Sequence, residues 1–249
     1  MKRRGVIALA AAGVIGVAAS SPLWAPPALR HVGWFGARRV EVSGTRLLAP
    51  HEVLAASGVR IGSNVWTNAG GWEAALEKHP VISEATVTRR FPHTLRIRVT
   101  EKTPAALVEA GTLRPATADG EVLPVDPARA AVDLPLVTAR FKMGDDRRRI
   151  SDPGARVALA EAARLGALDP ALMARVSELR PAGRGEVRLV MDGADVLLRA
   201  GADEPALVRL RAALDDVARR AAADTLSIGR VVVDARFDDQ VVVRREKKS

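Results

Sequence analysis

The stretch VISEATVTRRFPHTLRIRVTE, residues 81–101, decides how the first folded part of this 249-residue chain is built. Its second half alternates cleanly, with Leu95, Ile97 and Val99 on one side and Arg96, Arg98 and Thr100 on the other. That is the period of a strand with one buried face. Its first half alternates more loosely through Ile82, Ala85, Val87 and Arg89, and Phe91-Pro92 interrupts the two, predicting a pair of strands joined by a tight turn. Upstream, Val40 and Val42 alternate with Glu41 and Ser43 in a short strand that ends at Gly44. Between these strands, residues 50–56 read as a helix with proline in its first turn and a stop at Ser57-Gly58. A second helix, about 71–78, places Trp72, Ala75 and Leu76 on one face. Strand–helix–helix–strand–strand over residues 38–103 predicts a small α+β unit with both helices on one face of its sheet.

Beyond it, residues 104–245 predict a β-rich domain with flanking helices. Leu107-Val108 and residues 121–125 read as short strands with Asp119-Gly120 as a turn between them, and Leu134-Pro135-Leu136-Val137 as another extended piece. A helix is expected over 152–168. Strands at 185–191 and 196–199 flank a hairpin signal, Asp192-Gly193-Ala194-Asp195. The strongest helix spans 203–222, where Leu207, Leu210, Leu214, Val217 and Ala221 form one apolar stripe. Its solvated side offers three opposite-charge pairs at i,i+4, Arg211–Asp215, Asp215–Arg219 and Asp216–Arg220. Two strands, 230–237 and 240–245, close the domain around Asp238-Asp239, and residues 246–249 form a polar tail.

The net charge of +9 resembles a nucleic-acid signal until it is located. Residues 1–40 hold six Lys/Arg and no acid, leaving 32 basic against 29 acidic side chains elsewhere. The folded part is thus nearly neutral and lacks the clustered cations of a DNA- or RNA-binding surface. Lys2, Arg3 and Arg4 instead precede an uncharged run. At ~1.5 Å per residue, residues 5–25 reach roughly 31 Å, about the hydrocarbon thickness of a bilayer. Cations before such a span predict a cytoplasmic tail at 1–4, with everything past a connector at 26–37 on the far side. Trp24 then sits at the outer interface. A cleaved signal peptide, with its apolar region at 6–19 and Val17-Ala18-Ala19 before the cut, is the second reading of the same residues. Both export the rest of the chain.

A search for chemistry finds none. Cysteine is absent, which excludes disulfides, thiolate metal sites and a cysteine nucleophile. His31, His51, His79 and His93 lack metal-site spacing; His51-Glu52 opens like a zinc helix, but Ala55 stands where the second histidine belongs. No phosphate loop or nucleophile elbow is present. The carboxylate pairs Asp145-Asp146, Asp215-Asp216 and Asp238-Asp239 read as solvated surface, and so does Arg147-Arg148-Arg149 between its acidic neighbours. Eight aromatics and no tyrosine give no stacking platform for bases or sugars. The pattern is that of a binding module. No catalytic residue, cofactor, metal or small-molecule substrate is expected.

Several pieces resemble one family. VEVSG at 40–44, LEKHPV at 76–81 and RRFPHTLRIRVTEKTPAA from Arg89 are similar to the POTRA pattern of FtsQ/DivIB, single-pass bacterial cell-division proteins. DGEVLP at 119–124 and LPLV at 134–137 are similar to the family's following β segment, and VVVDARFDDQVVVRR at 231–245 to its C-terminal hairpin. The resemblance implies a non-catalytic divisome scaffold in the cell inner membrane at the septum, its bulk in the periplasm. It also implies partners of the FtsB/FtsL type and a role in coupling division-machinery assembly to septal peptidoglycan synthesis. The expected mode is strand addition to the C-terminal hairpin. Arg236, Phe237, Asp238 and Asp239 align with the partner-contacting turn, and Val241, Val242 and Val243 continue the edge. Arg236 is expected to pair with an acidic side chain of the incoming segment. The alternative is a POTRA-bearing export or outer-membrane assembly factor, although such proteins usually carry repeated POTRA units or a barrel.

Overall fold

A computed structural model describes residues 33–130, 133–139, 148–183, 185–223, 230–237 and 239–245. The expected span at 5–25, the tails at 1–4 and 246–249, His31, Asp145, Asp146, Arg147 and Asp238 lie outside them. Among the described residues no helix is long and apolar enough to cross a membrane. The chain divides into two compact units, residues 1–101 and 102–249, each with its own core.

In the first unit the clean alternation becomes β3 (Thr94–Glu101), the central strand of three. Strand β1 (Arg39–Ser43) runs parallel to it with Val42 opposite Ile97, and β2 (Ile82–Arg90) runs antiparallel with Val87 opposite Ile97. The Phe91-Pro92 bond in the β2–β3 turn is cis. Leu95, Ile97 and Val99 are buried beneath two helices, α1 (Pro50–Ser57) and α2 (Gly70–Glu77), which contribute Val53 and Leu76 to the core. Pro50 starts α1, where its missing N–H costs nothing, and Gly58 ends it in the left-handed conformation. Glu101 fastens the loop after β1, its carboxylate accepting the N–H groups of Arg46, Leu47 and Leu48 at 2.8, 2.7 and 3.0 Å. The free side of β2 is partly covered: Glu73 of α2 accepts the Val87 N–H at 2.7 Å.

The second unit is one eight-stranded sheet. Its strands are β4 (Pro104–Ala110), β5 (Thr112–Thr117), β6 (Leu136–Val137), β7 (Val176–Gly183), β8 (Glu186–Met191), β9 (Ala194–Arg199), β10 (Val231–Ala235) and β11 (Val242–Arg245). They lie in the order β11-β10-β9-β8-β7-β6-β4-β5. Helix α3 (Pro153–Leu168) packs on β4, β7 and β8; the short α4 (Pro170–Met173) packs on α3, and α5 (Glu204–Ala223) packs on β10. Buried carboxylates pin the helices. Glu161 takes Arg164 and the Gly201 N–H, tying α3 to the β9–α5 turn, and Asp169 caps α4 while accepting Arg211 from α5.

Three expectations are corrected. The strand expected at 121–125 makes only isolated bridges at Glu121 and Val122; the strand that pairs with β4 is β5, reached through Gly111. Pro115 argues against a central strand, but β5 is the outermost strand, where a missing N–H leaves no ladder bond unmade. Strand β7 escaped notice because bulges at 176–178 and 181–183 break its period and it contains Pro181. On α5, Asp216–Arg220 forms at 2.7 Å, but Arg211 turns instead to Asp169 and Glu204, and Arg219 turns to Asp216. A buried carboxylate at Asp169 outcompetes an exposed one one turn away.

Candidate partner-binding edge

The candidate site is built on the β10–β11 hairpin at one end of the sheet. Val231, Val233 and Ala235 point to the core and are 4%, 0% and 4% exposed, while Val232 and Asp234 occupy the opposite face. The antiparallel register sets Val231 against Arg245, Val232 against Arg244, Val233 against Val243 and Asp234 against Val242. Val243 therefore extends the core-facing row past Val233, yet it is 48% exposed. Val241 packs half-buried against the same core, and Val242 is half-buried on the other face. Among the described residues no strand pairs with the outer side of β11.

The other end of the sheet is closed by the chain itself. Leu123 donates its N–H to the Pro115 carbonyl at 2.8 Å, Thr117 donates to Glu121 at 2.9 Å, and Ala116 bridges Val122. Residues 148–150 then cover residues 120–122 in turn, Val122 donating to Arg148 at 2.7 Å and Ile150 to Gly120 at 2.9 Å. An open strand edge invites pairing and is normally blunted. Here β5 is covered over half its length, whereas among the described residues the outer side of β11, a strand of four residues, has no paired segment.

Arg236, expected to meet an acidic side chain of an incoming segment, is engaged within the chain. Its guanidinium holds both Asp234 oxygens, at 2.9 and 2.8 Å, and reaches Glu186 of β8 at 3.0 Å. The clamp ties the end of β10 to the start of β8 across β9. The Arg236 hydrogen bonds hold the Asp234 carboxyl below its ordinary range against the opposing effect of burial, and the two carboxylates raise Arg236 further still. Next along the same face, Asp195 is 6% exposed and takes Arg230 at 2.6 Å and Arg188 at 3.4 Å. The face under the hairpin is thus a lattice of arginines over buried carboxylates.

Phe237 is 41% exposed. It stands at the rim of a cleft of about 280 Å³ bordered by Arg199, Gly201, Asp203, Arg209 and Arg236. Asp239 is exposed, and Asp238 lies outside the described residues. Phe237 and Val243, with Val241 and Val242 between them in sequence, thus belong to one hairpin, whereas Arg236 serves as its internal brace. Sequence reasoning missed the cleft, because Arg199 and Arg209 sit far upstream with no distinguishing spacing. Among the described residues no three His, Asp or Glu side chains gather as a metal site.

A family model described as "POTRA domain, FtsQ-type" matches residues 35–102, and one described as "Cell division protein FtsQ/DivIB, C-terminal" matches residues 106–236. The second match ends at Arg236, so Phe237 and β11 lie beyond it. The chain is similar to "Cell division protein FtsQ" of Myxococcus fulvus, 32% identical over 76% of this chain and 68% of that protein. It is similar also to "Cell division protein FtsQ" of Streptomyces collinus, 34% identical over 73% of this chain and 70% of the relative. "Cell division protein DivIB" of Geobacillus kaustophilus is 33% identical over 52% of this chain and 49% of its own length.

Proposed function

This chain belongs to the FtsQ/DivIB family of cell-division proteins, and we propose that it acts as a membrane-anchored, non-catalytic scaffold of the division machinery. It binds FtsB/FtsL-type partners by accepting a partner segment as a further strand on β11, and so helps couple assembly of that machinery to septal peptidoglycan synthesis. One observation carries the reading: among the described residues the outer side of β11 has no paired strand, while half of the opposite edge is covered by residues 121–123. Backbone bonds from an incoming strand give affinity, and side chains seated at Phe237 and Val243 give selectivity. The family match over residues 106–236 supports this reading over an export or outer-membrane assembly factor.

The anchor is residues 5–25, with residues 1–4 cytoplasmic, the bulk periplasmic and the protein concentrated at the septum. Depletion is expected to give filamentous or unseparated cells while mass growth continues; outer-membrane assembly defects with normal septa would overturn the reading. Co-purification of the detergent-solubilised full chain with the FtsB/FtsL-type pair tests the docking mode directly. The pair should be retained by the wild type and lost when the outward donors of β11 are removed.

A further inference from the structure

Four of the chain's eight aromatic residues, from three separate stretches of sequence, meet in the first unit. The 3-10 turn Gly33–Phe35 places Trp34 edge-on to Phe35 and to His93, both at 5.0 Å between ring centres. Phe35 meets Trp66 at 6.0 Å, and Trp66 meets Phe91 at 4.9 Å. Three edge contacts and one tilted one link the rings in a single array. The array is not buried: Trp34 is 60% and Phe91 55% exposed. Ile61 is 70% exposed, on the loop whose Gly62 N–H bonds to the Ala37 carbonyl. These three are the exposed large hydrophobic residues of the first unit among the described residues. All three fall on the segments that build this one end, residues 33–40, 59–72 and 88–98.

The charge of those segments is one-sided. They contain no Asp or Glu, and Arg38, Arg39, Arg60 and Arg90 are all exposed on them. Glu41 and Glu73 flank these segments; Glu41 pairs with Arg96 and Glu73 accepts the Val87 N–H, while Glu101 holds the loop after β1. Exposed tryptophan and phenylalanine on segments that also carry exposed arginines is the composition that favours the headgroup layer of an anionic bilayer.

The position of the patch along the chain commits it to that occupant. The described structure begins at Gly33, and the apolar run 5–25 ends eight residues upstream. Fully extended, nine residues from Ala25 to Trp34 span at most roughly 31 Å. The patch is therefore held near the surface its composition suits. We infer that the aromatic end of the first unit, Trp34 and Phe91 with Arg38, Arg39, Arg60 and Arg90, docks onto the anionic phospholipid surface at the outer end of the membrane anchor.

The inference rests on the anchor reading, and the test separates the two. The full chain carrying Trp24→Phe and Trp72→Phe, so that Trp34 and Trp66 are the emitters, is reconstituted into phosphatidylglycerol vesicles with lipid brominated near the headgroup. Resistance to alkaline extraction is read first, then quenching. Retention with loss of about half the emission is expected, together with relief of quenching by Arg38→Glu/Arg90→Glu and by replacing phosphatidylglycerol with a zwitterionic lipid. Trp34→Ala, at an exposed position, should remove most of the quenched component without changing retention. Retention without quenching overturns the docking and leaves the anchor standing. Retention with a blue-shifted emission that bromine does not reach also overturns it, in favour of a protein covering the patch. Extraction of the chain overturns the anchor and the docking with it.

Discussion

Arg236 binds Asp234, two residues before it, through both carboxylate oxygens, and the same guanidinium reaches Glu186 from the far side of β9. Asp234 is 4% exposed and Arg236 about a third exposed. The pair is thus a partly screened brace at the base of the hairpin. Removing the arginine leaves a buried carboxylate without its partner, so Arg236→Ala should cost about 1–3 kcal/mol, less than a wholly buried pair because solvent reaches the guanidinium.

The same brace gives a pH dependence whose sign is fixed. Asp234 is held below its ordinary value mainly by the Arg236 hydrogen bonds. Its stabilisation is therefore fully present above the unfolded carboxylate value of about 3.9, and it is lost as pH falls through the lower folded value. Asp234→Asn should lower the melting temperature at neutral pH. It should also shrink the difference between melts at pH 6 and pH 3 relative to the wild type. An unchanged difference would mean that Asp234 does not carry this share of the acid sensitivity.

Gly44 closes β1 with φ of +90°, and a Cβ there would stand 2.0 Å from the Val99 carbonyl oxygen. Backbone, not a flexible side chain, blocks it, so β1 and β3 must part to admit even alanine. Gly44→Ala should destabilise the first unit by about 2–4 kcal/mol, lowering its melting temperature by roughly 10–20 °C. All four tryptophans precede residue 102, so in a Trp24→Phe background intrinsic fluorescence reads this unit without the second.

The first unit was legible because its signals are local. Leu95-x-Ile97-x-Val99 states its own buried face, and Pro50 and Gly58 mark the ends of α1 without reference to anything distant. The second unit was less so. Strand β7 carries two bulges and β5 contains a proline, and both are strands only because their neighbours pair with them. The hairpin could be read from its valines, but not the role of Arg236. Its second acceptor, Glu186, lies fifty residues upstream, and only the sheet order brings the two together. The aromatic end of the first unit was hidden for the same reason. Trp34, Trp66 and Phe91 belong to three separate segments, and each alone reads as an ordinary core residue.

Phe237 is the side chain on which selectivity at the edge is expected to rest. It is 41% exposed beside the cleft lined by Arg199 and Arg209, so truncating it removes little from the core. Phe237→Ala should therefore shift the melting temperature little while weakening partner binding by about 2 kcal/mol, roughly thirtyfold. Titration of the purified full chain with the FtsB/FtsL-type pair, beside a melt, checks both halves. A folded Phe237→Ala chain that binds normally would remove this residue from the interface.

The docking edge itself is tested by two prolines. In an antiparallel pair the N–H groups of successive residues point alternately toward the neighbouring strand and away from it. Of Val242 and Val243, one therefore donates to β10 and the other faces out. Proline removes the donor at either place, with opposite consequences. At the inward position it breaks a ladder bond inside the hairpin, which should lower the melting temperature of the second unit by roughly 4–8 °C. At the outward position it should leave that temperature nearly unchanged and abolish strand addition. Circular dichroism melts of Val242→Pro and Val243→Pro decide which residue is which, and partner titration of the thermally silent variant decides the function. Should that variant bind its partner as well as the wild type does, β11 is not the docking strand.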